Sequence, residues 1–275
     1  MLKITKKSGC GAALAGAALL LSGSSAAYAA ANDAISGDFG YTYNSHFVSF
    51  GADVWGAGGS FYGSRATSSF YGDVAVKPND ALTLSLGVWS DVNDNVKSNI
   101  GGHLQEVDFN PGISYAFGKF TAGLTFGAWS YAGDVEEVID TTLSYDDTGL
   151  LAPNFALNPK VDWHYRTSGN GGQKIGSAIV FSVDPSFPIT MNFSIAIPAG
   201  IALFTTDDFQ GGHSSGYSFS YIGGSFDYAL GFIPNTYGTW STNFDLIAYF
   251  TDSTAIPGNP SSSFLTGQLG IKVAY

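Results

Sequence analysis

Along most of the chain apolar and polar residues take turns. In "ALTLSLGVW", Leu82, Leu84, Leu86 and Val88 share one parity, with Thr83, Ser85 and Gly87 between them. "KFTAGLTFGAW" repeats the pattern, setting Phe120, Ala122, Leu124, Phe126 and Ala128 against Thr121, Gly123, Thr125 and Gly127. "ITMNFSIAI" and "STNFDLIAYF" do the same. A period of two marks a β-strand with one apolar face. Such stretches predict twelve strands, near 38–53, 67–77, 80–91, 104–117, 119–131, 134–146, 155–166, 173–184, 186–204, 214–230, 239–251 and 263–275. Strand ten is irregular. Tyr217, Phe219 and Tyr221 have one parity and Phe226, Tyr228 and Leu230 the other, which implies a bulge at Gly223-Gly224 or a misplaced boundary. Strand nine contains Pro198, which removes a ladder donor.

The links are unequal. Strands two, four and eight are followed by tight "KPND", "FGK" and "DPSF"; strands six and ten by "TGLLAPN" and "FIPNTYG". Strands one, three, seven, nine and eleven are followed by longer polar links such as "DVNDNVKSNIGGH" and "DSTAIPGNPSSS". Only "YAGD", after strand five, breaks the rule. Short turns on one rim and long loops on the other are the asymmetry of an outer-membrane barrel. The expected fold is all-β: a transmembrane, antiparallel, up-and-down barrel with short periplasmic turns and longer extracellular loops.

Alternation alone also suits a soluble sandwich whose apolar faces pack together. Three features favour lipid outside. Aromatics fall at strand ends (Trp55, Trp89, Trp129, Trp163, Trp240, Tyr131, Tyr249), as girdles at two membrane interfaces would. The polar face is rich in Gly, Ser, Thr and Asn. The chain ends inside an amphipathic strand, with Leu269, Ile271, Val273 and Tyr275 on one face. A closed barrel pairs its last strand with its first, so such an end belongs to the wall.

The N-terminus adds a compartment. Lys3, Lys6 and Lys7 precede an apolar run from Gly11 to Gly23, and Ala27, Ala29 and Ala31 follow at A-x-A spacing. This is a secretory leader, residues 1–30, cleaved near Ala29 to Ala31, with one barrel domain over 31–275. Removing the leader removes Cys10 and three lysines, so the mature chain has no cysteine and a net charge of −14. It can form neither a disulfide nor a thiolate metal site, and so acidic a chain does not suit nucleic acid. Charged residues are only 12% of the chain and aromatics 15%, against about a quarter charged in an average soluble domain.

The terminal segment resembles that of Gram-negative outer-membrane proteins, which end on an alternating strand and an aromatic. The resemblance implies that Leu269, Ile271, Val273 and Tyr275 are the signal read by the barrel-assembly machinery; Tyr stands where Phe is commonest. The stretches "YNSHFVSFGADVWG", "LSLGVWSDVND" and "QEVDFNPGISYAFGKFTAGLTFGAW" are similar to porin-like barrels of the TorF-like kind. That family carries no catalytic motif to transfer.

If apolar side chains face lipid, the other parity lines a lumen. Strand seven, "FALNPKVDWHYR", then turns Lys160, Asp162, His164 and Arg166 inward and Phe155, Leu157, Val161, Trp163 and Tyr165 outward. In hydrocarbon each ionisable group would cost ~2–4 kcal/mol near the midplane. Strand six adds Glu136, Asp140 and Asp146, strand four Glu106 and Asp108, strand eleven Asp245, and strand twelve Gln268 and Lys272. These residues either line an aqueous constriction that selects by charge or form a salt-bridged plug. The acid surplus favours cations if the lumen conducts.

No catalytic motif emerges. His213 beside Ser214 and Ser215 in "GGHSSG" lacks an evident acid, there is no G-x-S-x-G or H-E-x-x-H, and the four histidines lack metal-ligand spacing. The expectation is no enzyme, no cofactor and no metal. The expected function is an outer-membrane channel for passive or weakly selective diffusion of small hydrophilic solutes, with a slight cation preference. Its partners are outer-membrane lipid, lipopolysaccharide and the assembly machinery. The first alternative is a non-conducting structural or surface-binding barrel, the second an outer-membrane hydrolase.

Overall fold

The computed structural model describes residues 34–152, 155–170 and 174–275; the expected leader, 1–30, lies outside them. Twelve antiparallel strands form one wall: β1 (Ile35–Asn44), β2 (Thr67–Val76), β3 (Leu82–Val92), β4 (Leu104–Phe117), β5 (Phe120–Tyr131), β6 (Asp134–Tyr145), β7 (Lys160–Ser168), β8 (Gly176–Val183), β9 (Phe193–Ala196 with Ala199–Phe204), β10 (Gly216–Ala229), β11 (Thr239–Thr251) and β12 (Ser263–Ala274). Beyond β8 a short piece, Ser186–Pro188, pairs with the first part of β9. Each strand pairs with its chain neighbours, and β12 returns to β1 from Asp38↔Ala274 to Asn44↔Gln268. Tyr275 is held in the ladder: its N–H donates to the Gly37 carbonyl at 2.8 Å, and Gly37 N–H donates back at 3.2 Å. Around this ring each of the twelve strands has a partner on both sides; an open edge in lipid would cost several kcal/mol for each unpaired backbone group.

The outer face carries a broad apolar band. Phe39, Phe70, Leu84, Ile113, Leu124, Phe126, Leu143, Phe181, Ile201, Ile222, Leu269 and Ile271 are all exposed. Soluble monomers rarely expose more than a few hundred Å² of contiguous apolar surface, and this band follows the wall around.

Several expectations change. Strand one ends at Asn44, and residues 45–66 are a loop that folds inward. Strand seven begins at Lys160, so Phe155 and Leu157 belong to the link before it, and Asp146 lies in that same link, accepting from Thr148 N–H at 2.9 Å. That link, 146–159, is the longest on its rim. β10 keeps one register against β11 through Gly223 and Gly224. The irregularity instead lies against β9, between Ala202 and Leu203. The apparent phase change has a physical source: Phe219 and Tyr221 point inward and are buried, while Ile222 and Tyr228 point out. Pro198 sits at the break in β9, where its carbonyl still accepts from Gly223 N–H at 2.8 Å.

The girdle assignment also changes. Trp89, Trp129, Tyr131 and Tyr249 are buried inside the barrel, and Trp55 lies in the first loop. Trp163, 46% exposed, does face outward. An interior apolar cluster, including Phe50, Val138, Val180, Phe204, Phe209, Phe219, Ile247, Ile256 and Phe264, fills the half of the lumen away from the termini.

Candidate functional site

The inward loop is built around a tight hairpin. Val48–Ser49 pairs with Ala52–Asp53 across Phe50 (φ 44) and Gly51 (φ 78). Two successive positive φ angles make the turn twist with its strands. The left-handed conformation is uncommon for Phe, and the hairpin tip is where it stands. Gly51 is needed twice, for its φ and for space, since a Cβ would lie 2.6 Å from the Phe219 ring and 2.9 Å from Ile256.

The loop crosses the bore. Phe47 meets Trp89 of β3 with ring centroids 5.2 Å apart, Phe50 meets His164 of β7 at 4.2 Å, and His46 stacks on Phe264 of β12 at 5.6 Å. Trp55 Nε1 donates to Asp91 of β3 at 2.9 Å. Two other loops meet it. Phe209, in 205–215, packs on Phe50 and Phe204, and Gln210 donates to the Ser49 carbonyl at 3.1 Å. Asn259, in 252–262, donates to the Gly51 carbonyl at 2.8 Å and accepts from Asp53 N–H at 2.7 Å. These loops are tied down at their own ends. The Lys174–Asp208 pair is 2.7 Å apart; the hydrogen bond between them holds the Asp208 carboxyl below its usual range and Lys174 above its own. Asp252 is also held low, chiefly by the Thr254 hydroxyl and then by the Thr254 and Ala255 amides.

The lumen charges sort into two levels. In the filled half, Arg166 and Glu136 are fully buried and joined at 2.7 Å. Tyr131 donates its hydroxyl to the same carboxylate. Arg166 also donates to the Phe209 carbonyl at 2.9 Å and lies 4.3 Å over the Phe209 ring, binding wall to loop. Glu106 and Asp108 are each 2% exposed, sealed from water rather than lining a constriction. His164 is sandwiched between Trp129 and Phe50, with Nδ1 2.6 Å from Asp140.

The half nearer the termini is wetter. Lys160 and Asp162 are joined at 3.0 Å with side chains 37% and 16% exposed, and Asp140 is 29% exposed. Asp245 is buried against this space by Ser225, Asn243 and Gln268, while Lys272 stands on the same face of β12. Four acids missed from the sequence join them: Asp38, Asp73, Asp184 and Asp227. The parity that carries Gly40 and Thr42 inward also carries Asp38, and that of Ser69 and Tyr71 carries Asp73. Asp227 has the inward parity opposite Phe226 and Tyr228 on β10. Room for large lumen side chains comes from facing glycines: Tyr71 lies over Gly40 and Tyr221 over Gly200, where a Cβ would meet the rings at 2.3 and 2.6 Å. The terminal set Leu269, Ile271 and Tyr275 faces outward, whereas Val273 is 4% exposed.

Among the described residues no three His, Cys, Asp or Glu side chains are grouped to hold a metal, and no helix is long and apolar enough to cross a membrane. His213 bonds through its backbone to the Thr254 carbonyl, and Ser214 through its hydroxyl to Thr254.

No protein-family model matches the sequence, and no curated protein matches it. Solved structures similar to the chain include the NanC porin, at a TM-score of 0.49 and 11% identity over 86% of this chain and 98% of that one. Another is the translocator domain of the autotransporter NalP from Neisseria meningitidis, at 0.48 and 9% over 87% and 88%. A third is an outer-membrane channel from Pseudomonas putida F1, at 0.45 and 10% over 88% and 95%. The barrel itself is read from this chain's own closed ladder.

Proposed function

We propose that the chain is a porin-like channel of the bacterial outer membrane, which passes small hydrophilic solutes and favours cations. Lipid is the solvent that accepts an apolar wall whose strand ladder closes on itself, and the terminus-bearing rim then faces the periplasm. The observation that carries the reading is the charge inside that wall. Seven aspartates (Asp38, Asp73, Asp140, Asp162, Asp184, Asp227 and Asp245) share the lower lumen with Lys160 and Lys272. A low-dielectric wall focuses such a field and raises the local concentration of cations. In the conformation described, the three inward loops close the outer half, so conduction requires them to yield. On the same reading, Leu269, Ile271 and Tyr275 serve as the assembly signal, and the exposed loop acids contact lipopolysaccharide.

The loop that spans the bore favours a second reading, a non-conducting barrel whose outer loops bind partners. Planar bilayers containing the purified mature barrel separate the two. Discrete current steps under voltage, with a reversal potential of cation-permeable sign in a KCl gradient, support the channel. Silence at every voltage, including after removal of the Phe50 hairpin, defeats it.

A further inference from the structure

Beneath the Phe50 hairpin the wet half of the lumen ends in a cavity of about 280 Å³. Its floor is aromatic, made by Phe50, Trp89 and Trp129, and Asp73, Asp140 and Asp162 stand on its wall. This is smaller than the ~300–1,000 Å³ typical of sites for drug-sized ligands, so it takes a small molecule. Two of the carboxylates are already matched, Asp162 by Lys160 at 3.0 Å and Asp140 by His164 at 2.6 Å. The Asp73 carboxylate has neither a hydrogen bond nor an ion pair among the described residues, and its charged neighbour is another carboxylate, Asp38. Its carboxylate reaches across the wall to Gly87 on β3, where a Cβ would lie 2.6 Å from its oxygen. The cavity also has an unmet polar demand: His164 borders it, is 1% exposed, and its Nε2 has no protein partner.

We propose that this cavity is a binding site for a small organic cation bearing an ammonium head, entering from the periplasmic side. A carboxylate without a counter-charge beside aromatic rings is the chemistry that holds such a head. A metal ion is disfavoured because the carboxylates are spread over different strands and, among the described residues, no three donors converge. The site deepens the channel reading, on which it rests for its inward-facing lumen, by naming the solute class.

The probe is choline, and the control is 3,3-dimethylbutan-1-ol, which has the same shape without the charge. Titration calorimetry of the folded mature barrel in detergent is expected to show saturable choline binding and none for the neutral alcohol. Asp73→Asn should weaken choline at least tenfold, and Ser85→Lys, which places a cation in the cavity wall, should abolish it. Two substitutions on different strands keep the test decisive if one fails to fold, and heat-modifiable gel migration reports folding for each. Equal binding of both probes, no saturable choline binding, or an Asp73→Asn affinity like that of the unmodified chain overturns the site. Cation-selective conductance without choline binding overturns the site and leaves the channel. Choline binding by a barrel that never conducts leaves the site and overturns the channel.

Discussion

At the residue scale the closed outer half depends on a few close fits. Gly51 has a left-handed φ and almost no room beside Phe219 and Ile256. Valine there adds backbone strain of ~1–3 kcal/mol to a direct clash, and both are relieved if the hairpin leaves the bore. Each ~1.4 kcal/mol is a factor of ten in an equilibrium, so Gly51→Val should raise the frequency of open channels in bilayers by roughly tenfold or more without changing the wall. Arg166 and Glu136 behave differently, because neither reaches water. Removing one partner of such a pair typically costs ~3–5 kcal/mol, while replacing both with apolar groups can be nearly neutral. Urea unfolding in detergent should find Arg166→Met strongly destabilised and Arg166→Met with Glu136→Leu largely restored.

At the element scale neighbouring residues on one strand have opposite fates. Leu124 is exposed on the apolar band, and Thr125 borders the cavity. Leu124→Arg should cost ~2–4 kcal/mol near the midplane and reduce the yield of folded barrel. Thr125→Arg should assemble normally and diminish cation preference in bilayers. The 252–262 loop gives a pH dependence. A carboxyl held below its ordinary range contributes stability that is complete above that range and disappears as pH falls through the lowered value. Asp252 is such a group, so the loop should resist an acid-active protease at pH 5 and be cut only well below the ordinary Asp value of about 3.9. Asp252→Ala should be cut at both.

Strands were the legible elements, because lipid on one side enforces a period of two over ten or more residues. β4, β5 and β12 lie within a residue or so of their expected bounds. What alternation does not encode is what fills the lumen. Trp89, Trp129, Phe219 and Tyr249 have inward parity, yet they are aromatic, and aromatic residues at strand ends resemble girdles. Phe47 of the inward loop lies on Trp89, and Phe50 joins Trp129, Phe219 and Tyr249 in one interior cluster, contacts made far away in sequence. Nothing local in "SHFVSFGADVWG" distinguishes a loop that folds inward from the end of a strand, since the signal is a turn conformation at Phe50-Gly51. The same contact separates the candidate lumen residues into the sealed set Glu106, Asp108, His164 and Arg166 and the accessible set Asp140, Lys160 and Asp162.

At the scale of the whole molecule everything follows from which side of the wall is wet. The wall encloses an acidic cavity, the loops cap one end, and the apolar band must meet acyl chains. The single cysteine of the sequence, Cys10, precedes the described residues, so in a chain begun at residue 31 single cysteines can be placed at will. The most direct test is to place one at 124 and another at 125, in the folded barrel reconstituted into liposomes. A charged, membrane-impermeant thiol reagent is expected to label Thr125→Cys and spare Leu124→Cys, while a quencher carried on a lipid tail reaches a probe at 124 alone. Labelling of position 124 by the charged reagent, with 125 protected, would contradict the account and turn the barrel inside out.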